Sequence, residues 1–130
     1  WMDTARTAGF AALFSGELTY FYTAGYYDAH PEAIARAERA LVDVHRPLHG
    51  FLRMGEALIA HDTWDRLHEI TMPAFLLCGA DDMITPAAHS RAMAARMPRA
   101  EVHIIPDTLH GVMSEKPETF GLVLDFLMRH

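Results

Sequence analysis

The stretch Ala74-Phe75-Leu76-Leu77-Cys78-Gly79-Ala80-Asp81-Asp82-Met83-Ile84-Thr85-Pro86 constrains the fold of this chain most. Its apolar part, Ala74 to Cys78, is continuous rather than alternating, which is the pattern of a strand buried on both faces in a parallel sheet. Gly79 turns the chain and two carboxylates follow. Thr85-Pro86 has the form of a helix start, with Thr85 as cap and Pro86 in the first turn. A strand that delivers an acid at its C-terminal end belongs to the ligand-binding edge of an open α/β sheet. One helix later a second apolar run, Val102-His103-Ile104-Ile105, ends at Pro106-Asp107-Thr108-Leu109-His110-Gly111. That turn delivers a histidine. Two parallel strands joined by a helix bring the acid and the histidine out at the same sheet edge.

The rest of the chain reads as helices. Phe10, Leu13, Phe14, Leu18, Phe21 and Tyr22 recur at helical spacing and predict a helix from Thr4 to about Tyr22, weakened by Gly9 and Gly16. The aromatics gathered here, Phe14 among them, either pack a core or wall a substrate pocket. A break is expected over Tyr26–Pro31, with Pro31 opening a helix whose stripe is Ile34, Ala37, Leu41 and Val44. Pro47 ends that helix and starts another, striped by Leu48, Phe51, Leu52, Gly55, Leu58 and Ile59. Asp62 is placed to cap one short turn, and Pro73 suits a strand start. After the second strand, Lys116-Pro117 opens a last helix with Phe120, Val123, Leu124 and Leu127 as its expected buried face.

The totals exclude several classes. At 130 residues the chain has room for one domain, and 51% hydrophobic with 22% charged residues is a soluble globular composition. A net charge of -6, with the basic residues scattered, argues against nucleic-acid binding. One cysteine makes no internal disulfide. No apolar run approaches the roughly 18 residues of a membrane span, and no signal-peptide pattern opens the chain. A cytoplasmic protein is expected, without membrane or nucleic-acid partners.

Two strands coded for burial on both faces do not make a stable sheet, which needs about three or more with covering. The chain also opens at Trp1-Met2 without an element start. Further strands, N-terminal to Trp1 in the same protein or in another chain, are therefore expected to complete the core.

Asp81 and Asp82 read in three ways: solvated loop acids, helix caps, or an acid that orients a base. A Mg²⁺ site is disfavoured because no phosphate-cradling glycine loop accompanies them. A carboxylate accepting from one imidazole nitrogen sets the tautomer and leaves the other nitrogen to take a proton from a nucleophile, and imidazole titrates near neutral pH. Met83 and Leu109 flank these positions and are candidates, with Phe14, to touch substrate. His45 and His49 stand at i, i+4, but Pro47 intervenes and no third ligand is evident, so no metal is expected. Cys78 lies within the strand run and reads as an inert core thiol.

Residues 64–130 resemble the C-terminal half of an α/β-hydrolase-fold enzyme. The matching pieces are Trp64-Asp65-Arg66-Leu67, Ile70 with Met72-Pro73, the strand Ala74–Cys78, Gly79-Ala80-Asp81-Asp82, Pro86, Pro106, His110, and Glu115 with Pro117 and Phe120. In that family the acid stands three residues after the turn glycine and four before the proline, offsets that Gly79, Asp82 and Pro86 satisfy. The resemblance thus implies Asp82 as triad acid and His110 as triad base, with no cofactor. Residues 1–61 resemble the helical cap or lid of such enzymes, and 62–130 the C-terminal part of the core. Phe51-Leu52-Arg53, Ala57 and His61-Asp62-Thr63 resemble the stretch leaving the cap in small-molecule hydrolases of the lactonase, esterase and haloperoxidase-like branch.

The family's nucleophile elbow, Gly-x-Ser-x-Gly, has no match. Ser15, Ser90 and Ser114 do not follow a strand with flanking glycines. The expected function is hydrolysis of a small ester, lactone or related carbonyl compound, with acid and base in this chain, the nucleophile outside it, and no activity in residues 1–130 alone. Alternatives are a non-catalytic fragment or binding module of the same origin, or an aspartate-nucleophile enzyme that opens epoxides or removes halide.

Overall fold

The computed structural model describes residues 1–14, 17–43 and 47–130. Ser15, Gly16, Val44 and His45 lie outside the described residues. From Met2 to Ala60 the regular elements among the described residues are all helical: α1 (Met2–Phe14), a 3₁₀ turn at Glu17–Tyr20, α2 (Ala24–Ala29), α3 (Pro31–Asp43) and α4 (Leu48–Ala60). The single long helix expected over Thr4–Tyr22 is broken. Gly9 sits at φ 79°, ψ 176°, a conformation that interrupts the helical ladder and that glycine adopts without a Cβ penalty. Where a break was expected, Ala24–Ala29 is helical, because the Thr23 hydroxyl accepts from the Tyr26 amide and caps its start. Ala5, Leu13 and Phe14 are buried together, with Phe10, Leu41 and Phe51 packed against them, so α1, α3 and α4 share one small core.

A 3₁₀ turn at Trp64–Glu69 leads into the sheet, its first amide held by Asp62 Oδ1 at 3.0 Å. Strands β1 (Ala74–Gly79) and β2 (Ala100–Ile105) pair in parallel, from Ala74↔Ala100 to Gly79↔Ile105. Helix α5 (Ala87–Ala94) connects them and packs on both strands. Two short elements close the chain, α6 (Val112–Glu115) and α7 (Thr119–Arg129). Among the described residues no helix is long and apolar enough to cross a membrane.

The burial expected of the strands is only partly realised. Cys78 and Gly79 are buried, but the rest of β1 and all of β2 are half-exposed, because the described sheet has two strands and each keeps an open edge. Helix α7 departs further. Its buried residues are Thr119 and Phe126, the latter 5.3 Å from Phe75 ring to ring. Phe120, Leu124 and Leu127, expected inside, are 57–62% exposed. The helix is apolar on two faces and the sheet occupies only one of them. Leu58 and Ile59 of α4 are likewise exposed.

The turn after β2 folds back on the end of β1. Ala80 N donates to Ile105 O at 2.8 Å and Asp81 N to Thr108 O at 3.1 Å. Thr108 is fully buried and its hydroxyl donates to Ile105 O. A Cβ on Gly79 would lie 2.2 Å from Leu109 O and 2.4 Å from Thr108 O, both backbone atoms. Gly79→Ala is therefore expected to push the histidine turn off the strand and destabilise the assembled protein by about 3 kcal/mol. Urea unfolding checks this, and an unchanged midpoint would contradict it.

Candidate active site

The acid and the histidine meet. The Asp82 carboxylate is buried, and its Oδ1 accepts from the Ile84 amide at 2.8 Å and the Thr85 amide at 2.9 Å. Oδ2 accepts from the Thr85 hydroxyl at 2.9 Å and from His110 Nδ1 at 2.8 Å. Asp81, one residue earlier, is exposed. Facing a carboxylate, Nδ1 carries the ring proton and Nε2 of the neutral imidazole is left with its lone pair. Among the described residues no hydrogen bond occupies Nε2.

Burial works against ionisation of Asp82, but the Thr85 amide, His110, the Thr85 hydroxyl and the Ile84 amide together outweigh it and hold the carboxyl below its ordinary value. The acid thus stays charged beside the imidazole. Thr85 does not cap α5 as the sequence suggested. Pro86 holds the capping position without a side-chain bond, and the Thr85 hydroxyl is turned instead onto Asp82. Cys78 is buried behind the acid, and burial pushes its thiol up, which suits an inert core residue rather than a nucleophile.

The imidazole borders a cavity of about 500 Å³ whose walls include Phe21, Tyr22, Leu77, Asp82 and Met113. Phe21 meets the His110 ring edge-on, with centroids 5.0 Å apart and planes at 83°. Of the residues proposed to touch substrate, the structure brings none to this cavity wall. Phe14 lies 6% exposed in the helical core, where its ring stacks on Phe10 at 5.9 Å. Met83 is exposed at the loop tip beside Asp82. Leu109 lines a neighbouring cavity of about 320 Å³ with Tyr22 and Tyr27. The aromatic wall comes from the same cluster as Phe14 but further along the chain, beyond the 3₁₀ turn. The density of aromatics between Phe10 and Tyr27 is the sequence signal for this wall, and it does not by itself tell which of them faces the histidine.

Residues 32–117 match the family of serine aminopeptidases S33, which are α/β hydrolases. The chain belongs to that family. Its fold is correspondingly part of an α/β-hydrolase fold, and the family is one of hydrolytic enzymes. The chain is 28% identical, with a TM-score of 0.88, to an enol-lactonase from Burkholderia xenovorans LB400, over 98% of this chain and 48% of that one. It is 26% identical, with a TM-score of 0.84, to MGS-M2, an α/β-hydrolase enzyme from a Medee basin deep-sea metagenome library, over 98% and 48%. A protein of Stutzerimonas stutzeri (strain A1501) named "Putative carbamate hydrolase RutD" is 29% identical over 117 residues, 90% of this chain and 44% of that relative. The chain thus spans about half the length of these relatives.

Proposed function

We propose that this chain supplies the acid and base of a hydrolase that acts on a small ester, lactone or related carbonyl compound. The observation that carries the reading is the 2.8 Å contact from His110 Nδ1 to the buried Asp82, at the edge of a largely apolar cavity. Asp82 orients the ring and stabilises the imidazolium. His110 Nε2 takes the proton of a serine hydroxyl as its oxygen attacks the substrate carbonyl, and later returns that proton to the leaving group. Water then enters by the same route and releases the acid. The serine and the strands that carry it belong to the rest of the core, N-terminal in the same protein or in another chain. Residues 1–61 serve as the cap over the site, and 62–130 as the C-terminal part of the core. The relatives named for an enol-lactone and a carbamate support a small carbonyl substrate, since both groups present an acyl carbon to attack.

The test uses the assembled enzyme with short-chain aryl esters, simple lactones and a fluorophosphonate probe. Hydrolysis is expected, with the probe bonded to a serine outside residues 1–130 and labelling abolished by His110→Ala. Probe attachment that persists without His110, or no turnover of any ester or lactone, would overturn the proposal.

A further inference from the structure

We infer that Glu115 is a positioning residue for His110: it fastens Tyr20–Thr23 to the histidine loop, so that the cap segment and the imidazole move as one body. This rests on the active-site reading above. Glu115 ends α6, and its amide donates to Gly111 O at 3.1 Å, which places it one turn beyond the histidine loop. Its Oε1 accepts from the Thr23 amide, 92 residues away in the chain. Thr23 is the cap of α2, and the amide of a capping residue has no partner within its own helix. A half-buried carboxylate is a strong acceptor for it, because charge-assisted bonds are roughly twice as strong as neutral ones.

Two main-chain bonds run the other way. Gly111 N donates to Phe21 O at 2.7 Å and His110 N to Tyr20 O at 3.3 Å. Between these ties the Phe21 ring abuts the His110 ring. The approach is close enough that a Cβ on Gly111 would lie 2.7 Å from Phe21 O and 2.8 Å from the Tyr22 ring. Of the three ties only the one at Glu115 is made by a side chain, so it is the one that substitution can cut. His110 is then held from two directions, by Asp82 at Nδ1 and by Phe21 at the ring edge. Releasing Thr23 loosens the second support and lets Nε2 swing from its aim. Misplacement of a proton-transfer group lowers turnover more than binding.

The experiment compares Glu115→Ala and Glu115→Gln in the assembled enzyme, by steady-state kinetics per folded site and by amide hydrogen exchange. Glu115→Ala is expected to lower kcat about tenfold with KM changed less. Glu115→Gln keeps an acceptor oxygen and is expected to stay within about threefold of the parent. Exchange at the Thr23, His110 and Gly111 amides should quicken together in the alanine variant while the β1 and β2 amides hold. Unchanged exchange at His110 and Gly111 would overturn the inference. So would acceleration spread evenly over the molecule with kcat per folded site intact, or a glutamine variant as impaired as the alanine one. If Glu115→Ala does not fold, Glu115→Asp, shorter by one methylene, should show the same local change in smaller measure. Activity surviving in His110→Ala would sink the active-site reading alone, and the exchange data would still decide whether Glu115 couples the two segments.

Discussion

Replacing His110 by alanine is expected to lower kcat of the assembled enzyme by roughly a millionfold, the scale seen when the base of a catalytic triad is removed. The size follows from the geometry. The ring proton on Nδ1 is committed to Asp82 Oδ2 at 2.8 Å, so in the proposed mechanism Nε2 is the ring atom left to accept from the nucleophile. Among the described residues at this cavity edge nothing else replaces it: Asp82 already accepts from the Ile84 and Thr85 amides, the Thr85 hydroxyl and His110, and the Cys78 thiol is buried and pushed towards its neutral form. The fold should survive, because the backbone bonds from His110 and Gly111 to Tyr20 and Phe21 do not involve the imidazole. Turnover measured on folded protein with an activated ester checks this. Residual activity above about a hundredth of the parent would mean that another group acts as base.

The second large effect separates two neighbouring carboxylates. Asp82→Asn is expected to lower kcat by roughly 10⁴, because an amide no longer secures the Nδ1–H tautomer or stabilises the imidazolium. Asp81→Asn, at an exposed position, should leave kcat within about twofold. Equal losses would contradict the assignment. Stability should follow pH with a definite sign. The carboxyl of Asp82 lies below its ordinary value in the folded state, so its contribution is fully present above the unfolded value of about 3.9 and is lost as pH falls through the folded value. The difference in unfolding free energy between the parent and Asp82→Asn should therefore shrink as pH drops below about 4. A difference that grows on acidification would show that the carboxylate is not favoured in the folded state.

Local chemistry made much of the fold legible. The apolar runs at β1 and β2, the turn at Gly79 and the proline-led helices at Pro31 and Pro47 all appear where spacing places them. Each is a short-range statement about torsions or about which residues share a face. Helix α2 was hidden because six residues are too few to show a periodic stripe, and its cap at Thr23 became decisive only once the turn before it formed. The apolar period of the first helix runs through Gly9 without a mark, yet the backbone leaves the helical region there. For α7 the period is present on two faces, and periodicity alone does not say which face the sheet takes.

The sequence by itself determined the parallel strand pair, the sheet edge at which an acid and a histidine emerge and, through the Gly79 and Pro86 offsets of the α/β-hydrolase pattern, the choice of Asp82. Those features depend on residues within one strand–turn–helix unit, where the backbone has few alternatives. Only the tertiary structure decided that Thr85 turns its hydroxyl onto Asp82, that Phe21 and Tyr22 rather than Phe14 wall the cavity, and that Glu115 reaches Thr23. The last two join residues some ninety positions apart, and the first required a choice between capping α5 and bonding the acid. A hydrogen bond goes to whichever partner packing brings within about 3 Å, and packing is a property of the whole molecule rather than of any stretch of it.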